Sequence, residues 1–406
     1  MSTTVVRPLR DVLHPRNDIV HPRDNPTGVG TFVGLEHIEP QTGRRVGEAP
    51  IDLSTMTGRK ARFLPGDIVY GYLRPYLNKV WIAEFAGFCS VDQYVFIVDE
   101  AIAGPAYVAS YLRGPAYLAA APIDETPGQL PRIRLDEVLS TPIPLPPLDE
   151  QRRIAARLRD QLATSDEVRL DIDRRLETLA QVRKEVLAST YAQIDVSAFA
   201  LGSAISQPGA IADGPFGSRL KTEHYAPNGV RVIRLQNIGS GVFLDHDRAY
   251  VTREHADTLT RHFAGEGDVV VAALGDGARP AGRACQVPDI GPALVKADCF
   301  RVRTDGSIVD SEFLVWFLNS PGTQAIIAGQ MRGATRPRVT LGMLKAFPIP
   351  LPPLDEQRRI AAHLRDQLAE IDRAKAALEA QRAAIDALPA ALLREVFGPA
   401  KPLGGV

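Results

Sequence analysis

The longest regular pattern in the chain is a stripe of apolar residues that returns every three or four positions. One stripe runs from Ile154 to Val186, and a second runs from Ile360 to Val396. Such steps, sustained over about five heptads, are typical of a long amphipathic helix, and about 40 helical residues span about 60 Å. Each helix would expose its apolar face unless it had a partner, so we expect the two helices to pack together. We favour antiparallel packing, because the chain must run along the first helix to reach its second half.

The sequence ahead of each helix shows a different pattern. Short β-rich runs such as Gln93–Val98 and Gly267–Val271 alternate with glycine, proline and asparagine, which is typical of strands joined by turns. We predict an α+β fold in which two domains of mixed α/β structure, with mainly antiparallel sheets, are joined by two long helices packed as an antiparallel coiled coil with pseudo-two-fold symmetry. The predicted segments are a first domain (1–147), a first helix (148–195), a second domain (196–353), a second helix (354–398) and a tail (399–406).

The chain also repeats itself. The segment PIPLPPLDEQRRIAARLRDQLA at residues 142–163 returns at residues 348–369 with one difference, Arg157 against His363. A spacing this long exceeds the roughly 20 to 50 residues of solenoid repeats, so it indicates a duplicated domain with its connector. The prolines at the start of each copy predict a stiff, extended connector.

Composition and charge bear on the cellular compartment in which the protein is expected. The formal net charge is −1, and the three cysteines, Cys89, Cys285 and Cys299, lack CxxC spacing, which argues against a disulfide framework and a thiolate zinc site. We find neither a signal-peptide core nor an apolar run long enough to span a membrane. We therefore expect a protein of the reducing cytoplasm.

Residues for catalysis are not evident. The sequence contains no GxxxxGK[ST] loop, no strand-embedded GxGxxG and no Asn/Asp-Pro-Pro-aromatic motif of the kind that amino-methyltransferases use on a flipped base. His224, His246, His255 and His262 fit no common zinc spacing and are read as ordinary polar positions. We predict a chain without metal, cofactor or activity of its own. From the residues alone, a scaffold for two proteins and an unrecognised nuclease or transferase stay open.

Several motifs resemble those of one known family. The PLPPLDEQRRIAA helix heads, the segment DGPFGSRLK at residues 213–221 and VRVIRLQN at residues 230–237 are similar to the specificity subunit of type I restriction-modification systems. Phe32–Ile38 and the Gly-Asp-Ile/Val-Val segments at residues 66–69 and 267–270 extend the likeness, although the first domain lacks a counterpart of the loop Gly214–Ser218.

This resemblance implies a function in anti-phage defence. Each domain would be a target-recognition domain that reads one half of a bipartite site in double-stranded DNA. The repeated helices would dock two methyltransferase subunits, which use S-adenosylmethionine on adenine. Restriction subunits, translocating nucleases that use ATP and Mg, would join them in a bacterial or archaeal cytoplasm.

DNA contact requires arginine or lysine at phosphates and arginine, glutamine or asparagine at base edges. The candidates in the first domain are Arg44, Arg45, Arg59, Lys60, Arg62, Arg74, Tyr76, Lys79, Arg132 and Arg134. Those in the second are Arg219, Lys221, Arg234, Gln236, Asn237, Arg279, Arg283, Arg332, Arg336 and Arg338.

The helix heads repeat more than packing requires, because charged residues are kept along with the apolar ones. The predicted partner-binding residues are Glu150, Gln151, Arg152, Arg153 and Arg159, with their copies Glu356, Gln357, Arg358, Arg359 and Arg365. Two copies of one partner bound at two heads would explain the identity. Recombination between the repeated DNA segments would also explain it.

Overall fold

The computed structural model describes residues 4–124, 128–275, 279–331 and 338–398, and of Ser218 only the backbone. It divides into two compact units. The first contains the described residues up to Arg174 and those from Glu379 onward, and the second is Arg175–Leu378. Both long helices, α4 and α10 below, therefore contribute residues to both units.

The first unit contains eleven strands among its described residues. They are β1 (Val5–Pro8), β2 (Leu13–Pro15), β3 (Ile19–Val20), β4 (Val29–Phe32), β5 (Ala49–Asp52), β6 (Lys60–Phe63), β7 (Ile68–Gly71), β8 (Val80–Ile82), β9 (Gly87–Ser90), β10 (Gln93–Val98) and β11 (Pro142–Leu145). Its helices are α1 (Pro105–Arg113), α2 (Pro115–Ala120), α3 (Leu135–Ser140) and the first part of α4 (Leu148–Ala192).

The second unit begins within α4 and ends within α10. Its strands are β12 (Ala198–Ala200), β13 (Ile211–Asp213), β14 (Tyr225–Ala226), β15 (Val230–Ile233), β16 (Tyr250–Val251), β17 (Phe263–Ala264), β18 (Val269–Ala272), β19 (Ala284–Gln286), β20 (Ala293–Val295), β21 (Cys299–Val302) and β22 (Pro348–Pro350). Its helices are α5 (Leu201–Ala204), α6 (Arg253–Asp257), α7 (Ser311–Asn319), α8 (Pro321–Gln330), α9 (Leu341–Ala346) and the first part of α10 (Leu354–Phe397).

Each unit follows the same plan. A four-stranded sheet has the order β2-β10-β7-β8 in the first unit and β13-β21-β18-β19 in the second, and a five-stranded sheet accompanies it in each. The central strands β7 (IVYG) and β18 (VVVA) are buried along their whole length, as continuous apolar runs predict. Pairing is antiparallel except for one parallel pair in each five-stranded sheet, β4–β9 and β15–β20. The predicted α+β class is confirmed.

The connectors are strands as well. The proline-rich segments form β11 and β22, which pair with β1 and β12. Proline lacks a backbone N–H and is tolerated in such two-stranded edge ladders.

The two long helices run antiparallel within each unit. In the first unit Leu158 of α4 shares a core with Leu392 and Phe397 of α10. Two ion pairs join these helices, Arg157–Glu395 at 3.6 Å and Asp173–Arg382 at 3.1 Å, and the residue numbers rise along α4 as they fall along α10. In the second unit Leu187 of α4 packs with Ile360, Leu364 and Leu368, and Arg183 pairs with Asp372 at 3.0 Å. Two long helices with antiparallel packing are confirmed.

The ends of the helices pack on the short domain helices. In the first unit the ring of Phe397 lies 5.3 Å from Tyr107 and 5.5 Å from Tyr111 of α1. In the second unit Tyr191 lies 5.4 Å from Phe313 and 5.3 Å from Phe317 of α7. Tyr191 and Phe397 occupy equivalent repeat positions, so each helix end packs on the domain helix of the other half of the repeat.

Among the described residues, no helix combines the length and the apolar composition needed to cross a membrane.

Candidate nucleic-acid interface

Cationic and aromatic side chains share the outer face of the five-stranded sheet in the first unit. Lys60 and Arg62 alternate with buried residues along β6, so both point to the same face. The Lys60 ammonium lies 5.3 Å from the ring centre of Phe32, and the Arg62 guanidinium lies 5.5 Å from that of Phe88. Arg59 is exposed just before them. Cations held beside rings in this way suit a phosphate backbone with adjacent bases.

A second basic group forms where β7 ends. The backbone N–H of Arg74 donates to the carbonyl of Pro131 at 2.7 Å, and Leu73 is bridged to Arg132. Tyr76 in the same turn is 55% exposed. The fold thus brings together predicted residues that lie far apart in the sequence.

A stacked tyrosine pair lies beside this group. The rings of Tyr72 and Tyr94 are 4.4 Å apart and nearly parallel. Burial raises the pKa of Tyr72, the charge of Asp92 adds to this shift, and the nearby positive charges of Arg132 and Arg59 oppose it. The sequence analysis missed both tyrosines, which are partly buried and pack against the apolar core of the unit.

Other predicted basic residues of the first unit are ion paired within it. Arg45 pairs with Glu48 at 2.8 Å, and Arg134 pairs with Asp124 at 3.0 Å. The Lys79 ammonium donates to the carbonyl of Leu35. These contacts give the three side chains roles within the domain.

Arg44 belongs to a network that ties a domain loop to α4. It pairs with Glu39 at 2.8 Å and with Asp166 of α4 at 3.0 Å, and Arg169 lies 3.5 Å from Glu39. Burial raises the pKa of Glu39, but hydrogen bonds from Arg44 and Thr42 and the charges of Arg44 and Arg169 outweigh it, and the net shift is downward.

In the second unit, Arg234 and Gln236 converge on one carboxylate. Arg234 lies 2.9 Å and Gln236 2.7 Å from Asp247, and the hydrogen bonds from Gln236 and Arg234 lower the pKa of that carboxyl. Arg279 donates to the carbonyl of Gln236 at 3.4 Å. The three predicted residues therefore form one group, in which Asp247 orients Arg234 and Gln236 and the backbone of Gln236 holds Arg279.

The remaining predictions in this domain are spread over two places. Arg338 lies 5.2 Å from the ring centre of Phe216 and pairs with Asp298 at 3.0 Å. Arg219 and Lys221 are exposed on the loop after β13. Arg332 and Arg336 lie outside the described residues.

Two predicted DNA-contacting residues are buried instead. The amide of Asn237 is fully buried and donates to the carbonyls of Leu244 and His246. Arg283 is 1% exposed, and its guanidinium donates to four backbone carbonyls of the same unit, those of Leu235, Ile238, Leu274 and Pro280. Because both side chains are enclosed and already satisfied, we correct their assignment to a structural role.

The exposed charges of the two helix heads adopt the same arrangement. Arg153 pairs with Glu150, and Arg359 pairs with Glu356, each through two hydrogen bonds. These hydrogen bonds lower the pKa values of Glu150 and Glu356. The other head arginines are also exposed: Arg152 pairs with Asp149, Arg159 with Asp160 and Arg365 with Glu312, while Arg358 donates to the carbonyl of Gly306.

The predicted partner-binding glutamines are buried, and this corrects their assignment. Gln151 donates to the carbonyls of Ile102 and Pro146 and accepts from the N–H of Gly104. Gln357 makes the equivalent bonds with Ile308, Pro352 and Asp310. Each glutamine locks its helix to its own domain, which explains its retention without a partner.

The single difference between the heads also has a local cause. Arg157 pairs with Glu395 in the first unit. The repeat position equivalent to Glu395 is Ser189, and His363 lines a surface cleft together with Ser189 in the second unit. The arginine is therefore present where an acidic residue faces it.

A groove of about 660 Å³ lies beside the first head. Leu148, Arg152, Ala155 and Arg159 of α4 line one side, and Ala106, Tyr107, Ser110 and Arg113 of α1 line the other. The positions of α7 equivalent to Ala106 and Ser110 carry Glu312 and Trp316. The two heads thus share their α4 and α10 surfaces and differ in the helix that faces them.

Among the described residues, no group of three or more histidine, cysteine, aspartate or glutamate side chains is placed to hold a metal ion. The three cysteines are buried and free. Burial raises the pKa of each thiol, to about 12 for Cys89 and Cys285.

Comparisons with known proteins identify relatives of this chain. Residues 287–381 match the family model of the type I restriction modification DNA specificity domain. The type I restriction enzyme EcoDI specificity subunit of Escherichia coli is 30% identical over 155 residues, 38% of this chain and 34% of that protein. The MjaVIII specificity subunit of Methanocaldococcus jannaschii is 23% identical over 246 residues, 57% of this chain and 56% of that protein. The chain thus spans about a third to a little over half of these relatives.

Solved structures share the fold over nearly the whole chain. A chain from a structure of complex assembly and conformational transition in the type I R-M system has a TM-score of 0.79 at 22% identity, covering 97% of each chain. The HsdS subunit from Thermoanaerobacter tengcongensis has a TM-score of 0.60 at 21% identity, covering 97% of this chain and 96% of that one.

Proposed function

We propose that this chain, which belongs with the type I restriction-modification specificity subunits, is the non-catalytic component that reads a bipartite DNA target for its complex. One observation carries the proposal. The two units share one fold plan and nearly identical helix heads, yet they present different cationic and aromatic surfaces. A duplicated frame with two diverged surfaces suits two different half-sites.

Each recognition domain reads one half-site in this proposal. In the first domain the reading surface consists of exposed and partly exposed cations and aromatic rings on the outer sheet face and at the end of β7: Arg59, Lys60, Arg62, Tyr72, Arg74, Tyr76, Tyr94 and Arg132. In the second the DNA-facing surface consists of Arg219, Lys221, Arg234, Gln236, Arg279 and Arg338, whose cations can contact phosphates as well as base edges. Many of these cations have an acidic neighbour, so binding depends on placement and on salt.

The helix heads are the proposed docking surfaces for two methyltransferase subunits. The exposed pairs Glu150–Arg153 and Glu356–Arg359 are kept in both copies although nothing in the packing of the helices requires them. S-adenosylmethionine would be bound by those partners, and ATP and Mg by restriction subunits that join in the cytoplasm.

Mapping modified adenines in the genome, with and without this chain, tests the reading of DNA. Two-part motifs that lose their methylation when the chain is removed are the expected result. Methylation that persists at every motif would exclude the proposal and favour the rival, a scaffold for two proteins without DNA sequence specificity.

Docking is tested by the double variant Arg153→Ala and Arg359→Ala. We expect weaker binding of the methyltransferase subunit at both heads, measured by titration. Arg175→Ala, a change of the same charge on α4 outside the repeated segment, is the control. Unchanged partner affinity in the double variant would leave recombination between the repeats as the explanation for the identical heads.

A further inference from the structure

A pocket of about 350 Å³ opens on the second unit. It lies among the turn Gly217–Arg219, the turn Thr222–His224, α6 and the turn Thr260–His262. Its lining is made of cationic, imidazole and hydroxyl side chains with one leucine: Arg219, His224, His255, Thr258, Leu259, Thr260, Arg261 and His262.

Two arginines converge at this pocket. Arg219 and Arg261 both line it together with His262. Burial lowers the pKa of this histidine, its hydrogen bond to the Asp213 backbone and the Asp213 charge oppose the shift, and the positive charges of Arg261 and Arg219 add to it. Neither arginine forms an ion pair within the part of the chain that the structure describes. Like charges held together raise the free energy of the folded state, and a bound anion relieves this repulsion.

One of these arginines is held in place by a buried histidine. His262 is 2% exposed, and its Nδ1 lies 2.6 Å from the carbonyl of Asp213, to which it donates. Its Nε2 then accepts from the Nε–H of Arg261 at 3.0 Å. This bond uses one of the five N–H donors of the guanidinium, which keeps the others for a ligand and fixes the plane of the group.

The opposite wall is a stacked histidine pair. The rings of His224 and His255 are 4.0 Å apart. Nδ1 of His224 accepts from the N–H of Lys221 at 3.0 Å, and Nε2 of His255 lies 2.9 Å from the carbonyl of Arg219. The first contact leaves Nε2 of His224 as the protonated nitrogen of a neutral ring.

Two carboxylates stand near the pocket. Glu223 lies 3.9 Å from His224 and 3.6 Å from the ammonium of Lys221, which offsets its charge. The charge of Asp213 acts on His262, where the positive charges of Arg261 and Arg219 oppose it.

A phosphate group matches these donors. Guanidinium groups present paired N–H donors in the geometry of phosphate oxygens, and the two threonine hydroxyls add donors that carry no charge. Arginines that repel a cation, and histidine nitrogens that already bond to backbone groups or to Arg261, make the pocket unsuited to a metal ion.

We propose that this pocket binds one phosphate group of the DNA backbone beside the second half-site. This inference rests on the proposed function, because DNA supplies the phosphate. The contact positions the domain on the duplex and carries no sequence information of its own.

Salt-dependent binding of the assembled complex to DNA tests the pocket. The variants are Arg261→Gln and Arg219→Gln, and the control is Arg253→Gln on α6, where Arg253 already pairs with Asp257 at 3.2 Å. Each is titrated against a duplex with the mapped target and a duplex with scrambled sequence.

We expect both pocket variants to bind the two duplexes more weakly by the same factor. The slope of log K against log salt concentration should fall by about 0.9, the change for one lost phosphate contact. The control should keep the wild-type slope. If the pocket variants keep the wild-type affinity and slope, the inference is overturned. The proposed function is unaffected by that result as long as the wild-type complex still prefers the target duplex over the scrambled one.

Inorganic phosphate separates the two sources of the anion. Its binding to the full chain is followed through the imidazole NMR signals of His224 and His255. Phosphate that shifts these signals in the wild type and not in Arg261→Gln, with unchanged DNA slopes, would overturn the assignment to DNA. If the wild-type complex shows no preference for any split sequence, the proposed function itself is contradicted.

Discussion

Some polar residues inside charged sequence motifs are buried and have structural roles, although their exposed neighbours could bind a partner. Gln151 stands between Glu150 and Arg152 in the repeated head, and Arg283 stands in a basic stretch, yet both are 1% exposed. Sequence spacing places them on the same list as their exposed neighbours. Only the fold shows that backbone groups satisfy them, because several of these groups, such as the carbonyls of Ile102 and Ile238, come from elements far away in the sequence.

Replacing Gln151 by alanine should destabilise the first unit. The change leaves the N–H of Gly104 and the carbonyls of Ile102 and Pro146 without their partner, and an unmet buried group costs about 1 to 3 kcal/mol. We expect the free energy of unfolding, measured in urea, to fall by about 3 kcal/mol. The exposed neighbour Arg152, changed to alanine, should shift it by less than about 0.5 kcal/mol. Equal stability of the two variants would contradict the structural role.

The Glu39 network should make the first unit sensitive to acid. The pKa of Glu39 is lowered in the folded state, so its contribution to stability is present above the unfolded pKa and is lost as the pH falls through the folded value. Because the group is partly exposed, we expect Glu39→Gln to lose only about 0.5 to 1 kcal/mol at neutral pH. This difference from the wild type should vanish in acid, as measured by urea unfolding over a pH series. Glu167→Gln, an exposed change on α4, should show no such loss at neutral pH, and a difference that persists in acid would contradict the assignment.

Elements are where sequence reasoning succeeds best. The apolar stripes predict two long helices, and the structure places them at Leu148–Ala192 and Leu354–Phe397. Their period and length leave little alternative, and the strand-like runs of the domains follow from β-branched residues between turns. The sheet orders do not follow, because β10 and β21 pair with strands far away in the sequence.

The C-terminal end of α10 should contribute to the stability of the first unit, just as the start of α10 contributes to the core of the second unit. Phe397 is 7% exposed and packs on Tyr107 and Tyr111. Truncation of a buried phenylalanine costs about 3 to 5 kcal/mol, so Phe397→Ala should lower the free energy of unfolding of the first unit by that amount. Glu395→Ala, two residues earlier and 69% exposed, is the control and should change it by less than about 1 kcal/mol. A loss no larger than the control's would show that the helix end does not hold the domain.

At the scale of the whole molecule, duplication explains both what is shared and what differs. The repeat conserves the glutamine locks, the aromatic contacts of the helix ends and the paired charges of the heads. Divergence lies in the two domains and in the helices that face the heads. Sequence comparison detects the identical segments at once, but what each difference does depends on the residues that the fold places beside it. The proposed DNA contacts and the predicted domain boundaries stay predictions.

The two docking heads should differ in affinity for the same methyltransferase subunit. Arg365 reaches Glu312 of the facing helix α7 at 2.8 Å, whereas its counterpart Arg159 pairs with its own neighbour Asp160 at 3.2 Å and has Ala106 at the position equivalent to Glu312. A partner at the second head must therefore compete with a carboxylate of the facing helix that the first head lacks. An exposed ion pair is worth about 0.3 to 1 kcal/mol, so we expect the second head to bind about two- to fivefold more weakly.

Reciprocal substitutions test this asymmetry. Ala106→Glu should weaken binding at the first head, and Glu312→Ala should strengthen it at the second, each by about the same factor of two to five. Titration with native mass spectrometry resolves the first and second bound copies. Because Ala106→Glu adds a charge that could disturb α1, its free energy of unfolding is measured in parallel. If both variants keep the wild-type pair of affinities while remaining folded, the facing helices do not take part in docking, and the identical residues of α4 and α10 alone determine how each partner binds.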